Sequence, residues 1–160
     1  MMMALGDALS VALVQRRGFT KDDFSVFHPG GKLGKAFTRV EDLMHSGSEL
    51  PLVGADAVMK DVLLTITAKH FGCAGVTDKN GKLAGIITDG DLRRHMQPNL
   101  LESKASEVMT ANPKSIRPDA LAVEGLAIMN EKSITSLFVV ENEKPVGILH
   151  IHDCLRAGIA

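Results

Sequence analysis

Apolar residues recur along the chain in two rhythms, and the succession of those rhythms occurs twice. Val58, Val62 and Ile66, with Met59 and Leu63, fall at i, i+4 spacing behind Asp56. That spacing predicts a helix capped by Asp56 that buries one face. Residues 50–53 ahead of it and 73–77 and 82–88 behind it read as short strands, the last two joined by Asn80-Gly81. Both turn residues accept the positive φ that a tight hairpin needs. Residues 89–94 then begin a second helix, giving the order β-α-β-β-α.

The second half of the chain repeats this order. Asp42-Leu43-Met44 returns as Glu107-Val108-Met109, Asp56-Ala57-Val58 as Asp119-Ala120-Leu121, and Gly85-Ile86-Ile87 with Asp91 as Gly147-Ile148-Leu149 with Asp153. The offset shrinks slightly along the way, as loop deletions make it do. In this copy 114–116 is the strand, 119–130 the helix, 137–140 and 145–149 the hairpin, and a short helix starts at His150. Residues 97–103, with Pro98, Asn99 and Ser103, read as the linker. A unit of about 60 residues buries too little surface to stand comfortably alone, so the copies should pack on each other and form clefts where they meet.

The first seventeen residues form a different pattern, a helix apolar on almost every side. Arg16 and Arg17 fall in its last turn, and Gly18 is the residue that stops it. A helix of that kind needs partners on several faces, and the expectation is a further domain ahead of it. Asp7 interrupts the stretch, which is too short to span a bilayer and has no signal-peptide character. Net charge is −1 with no basic stripe, which gives no argument for nucleic acid or an anionic membrane as partner. Cys73 and Cys154 stand apart, outside any metal-ligand spacing, so reduced buried thiols and no metal are expected. A cytoplasmic location follows from this reading.

A duplicated β-α-β-β-α unit ending in Gly85-Ile86-Ile87-Thr88-Asp89-Gly90-Asp91-Leu92 resembles the cystathionine-β-synthase (CBS) domain. The fold class implied is α/β (α+β), tandem CBS domains packed as a pair, with repeats at 40–98 and 103–158 behind a segment at 1–39. The resemblance implies a regulatory module with no required cofactor that binds an adenosine-type or other nucleotide between its sheets, and that dimerises. Thr88 ends a strand and opens a helix, where a hydroxyl and unpaired backbone N–H groups suit a phosphate. Asp91 could accept from ribose hydroxyls, and Arg93 and Arg94 could add charge-assisted contacts beside Asp89 and Gly90. The tetrad Thr88-x-x-Asp91 is equally a helix capping box, in which both side chains serve only the backbone. In the second copy His150 replaces Thr88 while Asp153 keeps the place of Asp91, so the two sites should be unequal. The family's usual cleft walls fall at Cys73-Ala74 and Ser136-Leu137, which also read as plain core.

Residues 4–34, closing on His28-Pro29-Gly30-Gly31-Lys32-Leu33-Gly34, are similar to the end of a sugar isomerase (SIS) domain, and more narrowly to the arabinose 5-phosphate isomerase family. In that family an SIS domain precedes a CBS pair and interconverts D-ribulose 5-phosphate and D-arabinose 5-phosphate on the route to the lipopolysaccharide sugar Kdo. The resemblance makes His28 a catalytic position of the intact enzyme. Other residues such a site needs are not in this sequence, so the chain alone should be inactive. Feedback logic suggests CMP-Kdo as effector, with CMP and AMP as alternatives.

Overall fold

The computed structural model describes residues 2–18, 35 and 37–159, in two units, Met1–Thr38 and Arg39–Ala160. In the first unit, helix α1 spans Met2–Arg16 and ends as its sequence foretells, with Gly18 at φ +60° donating its N–H to the Gln15 carbonyl at 3.2 Å. Leu5, Leu9, Val11 and Leu13 on this helix are exposed. His28 lies outside the described residues.

The second unit contains two four-stranded sheets. Strands β2 (Leu52–Gly54), β3 (Cys73–Thr77) and β4 (Leu83–Thr88) come from the first repeat, with β2 parallel to β3 and β4 antiparallel to it. Strands β6 (Ser115–Ile116), β7 (Ser136–Glu141) and β8 (Lys144–His150) build the second sheet in the same way. Helices α2 (Met59–Lys69) and α3 (Asp89–Arg94) belong to the first repeat, and α5 (Ala122–Lys132) and α6 (Ile151–Arg156) to the second, with α4 (Ala105–Val108) between.

Each sheet is completed by the other repeat. The short strand β1 (His45–Ser46), which opens the first repeat, pairs antiparallel with β8 of the second. Strand β5 (Thr110–Ala111), which opens the second repeat, pairs with β4 of the first. The sheets therefore run β2-β3-β4-β5 and β1-β8-β7-β6. Core packing follows the exchange, since Val40 joins the core of the second repeat while Ala105 and Val108 join that of the first.

Two glycines make the exchange sterically workable. A Cβ on Gly85 of β4 would collide with Met109, and one on Gly147 of β8 would collide with Met44. These four are the repeat-matched residues of the sequence. Each methionine fills the hollow that a missing side chain leaves on the opposite repeat's sheet. Between the sheets, buried Phe138, Ile148 and Cys73 pack with Leu52 and Ile86. Full burial of an aromatic ring such as Phe138 stabilises by roughly 1.5–3 kcal/mol.

Asp56 does not cap α2. Its carboxylate accepts from Lys104 Nζ at 3.1 Å, while Val58 forms an extended bridge to Lys104, so the helix can start only at Met59. Its buried face is Met59, Val62 and Ile66, leaving Val58 exposed. The same shift occurs in the second repeat, where Leu121 bridges Arg39 and α5 starts at Ala122 rather than at Asp119.

Candidate functional site

A cleft of about 620 Å³ opens where the repeats meet. One wall is the end of β4 and the start of α3, the other the segment from Asn112 to Lys114 and the turn from Lys132 to Ser136 between α5 and β7. Phe71, Cys73 and Ile86 form an apolar floor. Of the residues singled out in the sequence, Cys73, Thr88, Asp89, Gly90, Asp91, Arg93, Arg94 and Ser136 line this cleft. Ala74 and Leu137 do not. Each is fully buried against the helix-covered core of its own repeat, because successive side chains of a strand point to opposite faces.

Asp91, although it lines the cleft, is only 2% exposed and is closed in by donors. Its Oδ2 accepts from the Thr88 backbone N–H at 2.8 Å and the Thr88 hydroxyl at 2.7 Å. Its Oδ1 accepts from Arg94 Nη2 at 2.5 Å and from the Thr110 hydroxyl at 2.6 Å. Burial pushes this carboxyl up, but the hydrogen bonds from Thr110, Thr88 and Arg94 outweigh it and hold the group below the usual carboxylate range. The four donors occupy both oxygens, so a sugar hydroxyl reaches this carboxylate only by displacing one of them. Thr110 comes from the second repeat. The Thr88/Asp91 pair thus caps α3 and also fastens the exchanged strand β5, a role the sequence did not reveal.

Four cationic side chains, Arg93, Arg94, Lys114 and Lys132, line the cleft against the carboxylates of Asp89 and Asp91. Arg94 is held by Asp91, and Lys132 pairs with Glu131 at 2.6 Å. Arg93 and Lys114 form no ion pair among the described residues. The cleft therefore presents net positive charge above an apolar floor, an arrangement suited to an anion joined to a flat or apolar moiety. The Cys73 thiol is pushed up to about 11 by burial, with Asp89 adding to the effect and a hydrogen bond to Ser136 opposing it, which makes it inert.

His150 and Asp153 lie at the corresponding end of the second repeat and do not line this cleft. There His45 takes the place that Thr110 has in the first, with Nε2 at 3.1 Å from Asp153 Oδ2 and Nδ1 at 2.8 Å from Glu49 Oε2. The rings of His45 and Phe71 meet edge to face at 5.1 Å. His150 Nδ1 accepts from the His152 backbone N–H at 3.2 Å and so caps α6. The sequence reading overlooked His45, Thr110, Lys114 and Lys132. The doubled Met44 and Met109, one residue ahead of His45 and Thr110, were the available signal.

The family profile of the CBS domain matches residues 40–98 and 105–160. The chain belongs to the CBS-domain family. The chain is also 44% identical over 98% of its length to the arabinose 5-phosphate isomerase KdsD of Yersinia pestis, covering 49% of that protein. It is 45% identical to KdsD of Escherichia coli K12, again over 98% of this chain and 49% of the relative. The chain thus spans about half the length of these curated relatives, and its CBS pair is homologous to their C-terminal region. Among solved structures it resembles the CBS-pair protein CBSX2 of Arabidopsis thaliana in complex with AMP, with a TM-score of 0.65 and 24% identity over 76% of this chain and 96% of that one. Among the described residues, no group of side chains could hold a metal ion, and no helix is long and apolar enough to cross a membrane.

Proposed function

We propose that the cleft between the repeats binds an anionic nucleotide, and that its occupancy regulates an aldose–ketose isomerase of the KdsD kind. The observation that carries this reading is the cleft itself, where Arg93 and Lys114, which form no ion pair among the described residues, line a space floored by Phe71, Cys73 and Ile86 and walled by both repeats. The AMP complex of CBSX2 and the kinship to KdsD support it. Among nucleotides, CMP-Kdo suits the charge of the site, since it carries a carboxylate as well as a phosphodiester. Arg93 meets the carboxylate and Lys114 the phosphate. Asp91 then acts by holding β5 in place rather than by gripping ribose.

In a longer chain of the relatives' length, an SIS domain precedes the pair. His28 serves there as an acid–base group for proton transfer between adjacent carbons. The same reading gives a cytoplasmic homo-oligomer.

Calorimetry with CMP-Kdo, CMP and AMP tests the proposal. CMP-Kdo is expected to bind more tightly than CMP, and Arg93→Ala and Lys114→Ala are each expected to weaken it by about tenfold or more, the scale of a lost charge-assisted hydrogen bond. Absence of binding by all three at millimolar concentration would overturn the reading. Ribulose 5-phosphate is expected to give no turnover with this chain alone.

A further inference from the structure

The two ends of the pair hold their central carboxylates with different chemistry. In the first repeat Asp91 accepts from the Thr88 backbone N–H and from the hydroxyls of Thr88 and Thr110, donors that do not titrate near neutral pH. The matching positions hold His150, Asp153 and His45. An imidazole nitrogen that accepts a backbone N–H must be unprotonated, so His150 caps α6 only in its neutral form. His45 has the opposite requirement. Its two nitrogens face Asp153 and Glu49, and carboxylates only accept, so the ring makes both bonds only when it carries both protons.

We propose that this end of the pair is a proton-responsive switch, in which neutral His150 caps α6 and protonated His150 releases that cap. The groups facing His150 support a changeover. His152 lies with its ring centroid 5.0 Å away, and Phe71 separates His150 from His45 with ring distances of 6.3 and 5.1 Å. On α6, Arg156 Nη1 stands 3.6 Å from Asp153 Oδ1, which offsets part of the only carboxylate on that helix near the ring. From the α2 side, Lys69 Nζ donates to the Ser48 carbonyl at 2.5 Å and ties down the turn that carries Glu49. Burial lowers the His150 imidazole below its ordinary value, His152, His45 and Arg156 lower it further, and Asp153 opposes them. A cation at His150 would also stand at the positive end of α6.

The outcome is delivered at β1, through which the chain enters the CBS pair from residue 39. Acid loosens the first turn of α6, which carries Asp153, the partner of His45 on β1.

The test is nitrogen NMR of the histidine rings together with amide exchange of the 160-residue chain from pH 8 to 5. His150 is expected to show a bare Nδ1 at pH 8. As pH falls below the ordinary histidine range, protection of the His152 amide should drop by about tenfold per pH unit until the native His150 itself titrates. His150→Thr, which installs the first repeat's residue, should abolish that dependence, and His150→Asn, a second non-titrating cap, should do the same. A protonated Nδ1 on His150 at pH 8, or an unchanged pH dependence of the His152 amide in both cap variants, would overturn the switch.

Discussion

Replacing Gly85 by alanine tests the strand exchange at its tightest point. The new Cβ would overlap Met109 Sδ and stand 2.8 Å from its Cγ and 3.0 Å from its Cβ. The thioether can swing away, but the Met109 Cβ moves only with the backbone, so β5 must shift from β4. Overpacking of that kind costs about 1–3 kcal/mol, and about 2 is expected here, or roughly 4–8 °C in melting temperature for a chain of this size. Met109→Ala alone should cost about 2 kcal/mol, the low end for a methionine truncation because the side chain is only partly buried. If the two residues compete for one volume, Gly85→Ala/Met109→Ala should cost less than the sum of the singles by at least about 1 kcal/mol. Urea unfolding at 25 °C with a shared slope measures all four corners of the cycle. A Gly85→Ala variant as stable as the parent, or additive singles, would refute the claim that these residues interlock.

Gly147→Ala should cost as much as Gly85→Ala or more in the same assay, because its Cβ meets Met44 Cγ at 3.0 Å and the backbone carbonyl of His45 at 3.2 Å. Phe138→Ala, which empties the space between the sheets, is expected to cost about 3–5 kcal/mol by urea unfolding. Asp91→Ala leaves the Thr88 and Thr110 donors without their acceptor and should cost about 1–3 kcal/mol at pH 7. Because the native Asp91 carboxyl is held below its ordinary value, its stabilisation is complete above about pH 4 and is lost as pH falls through the native value. Unfolding curves from pH 7 to 3 should therefore converge for parent and Asp91→Ala. Cys73, raised to about 11, should resist a disulfide reagent at pH 8 until the protein unfolds, and a rapid native burst assigned to it by mass spectrometry would contradict its burial.

The β-α-β-β-α order was legible because it rests on features that local sequence carries: a periodic helix face at Met59, Val62 and Ile66, a hairpin signal at Asn80-Gly81, and the stop at Gly18. The start of α2 was not, since Val58 is drawn into an extended bridge by Lys104, a residue far along the chain. Strands β1 and β5 are two residues each, too short for any rhythm, and only their sheet partners make them strands. For the cleft, Thr88 to Arg94 could be placed because the helix start is local. The cationic wall at Lys114 and Lys132 could not, because tertiary packing brings it across from the other repeat. Which of Cys73-Ala74 and Ser136-Leu137 faces the cleft was not legible, because a strand buried on both faces, such as Cys73–Val76, is apolar throughout and hides its alternation.

The exchanged strands bear on how such a pair can be divided. A gene cut in the linker would yield two products, each with a vacant sheet edge and each carrying the strand that fits the other's. Neither half is a module in its own right, although each carries a complete copy of the motif. Mixing the halves should restore the pair, whereas either half alone has only another copy of itself to complete its sheet. The smallest unit with both sheets complete is therefore the doublet, and damage to one repeat is felt in both.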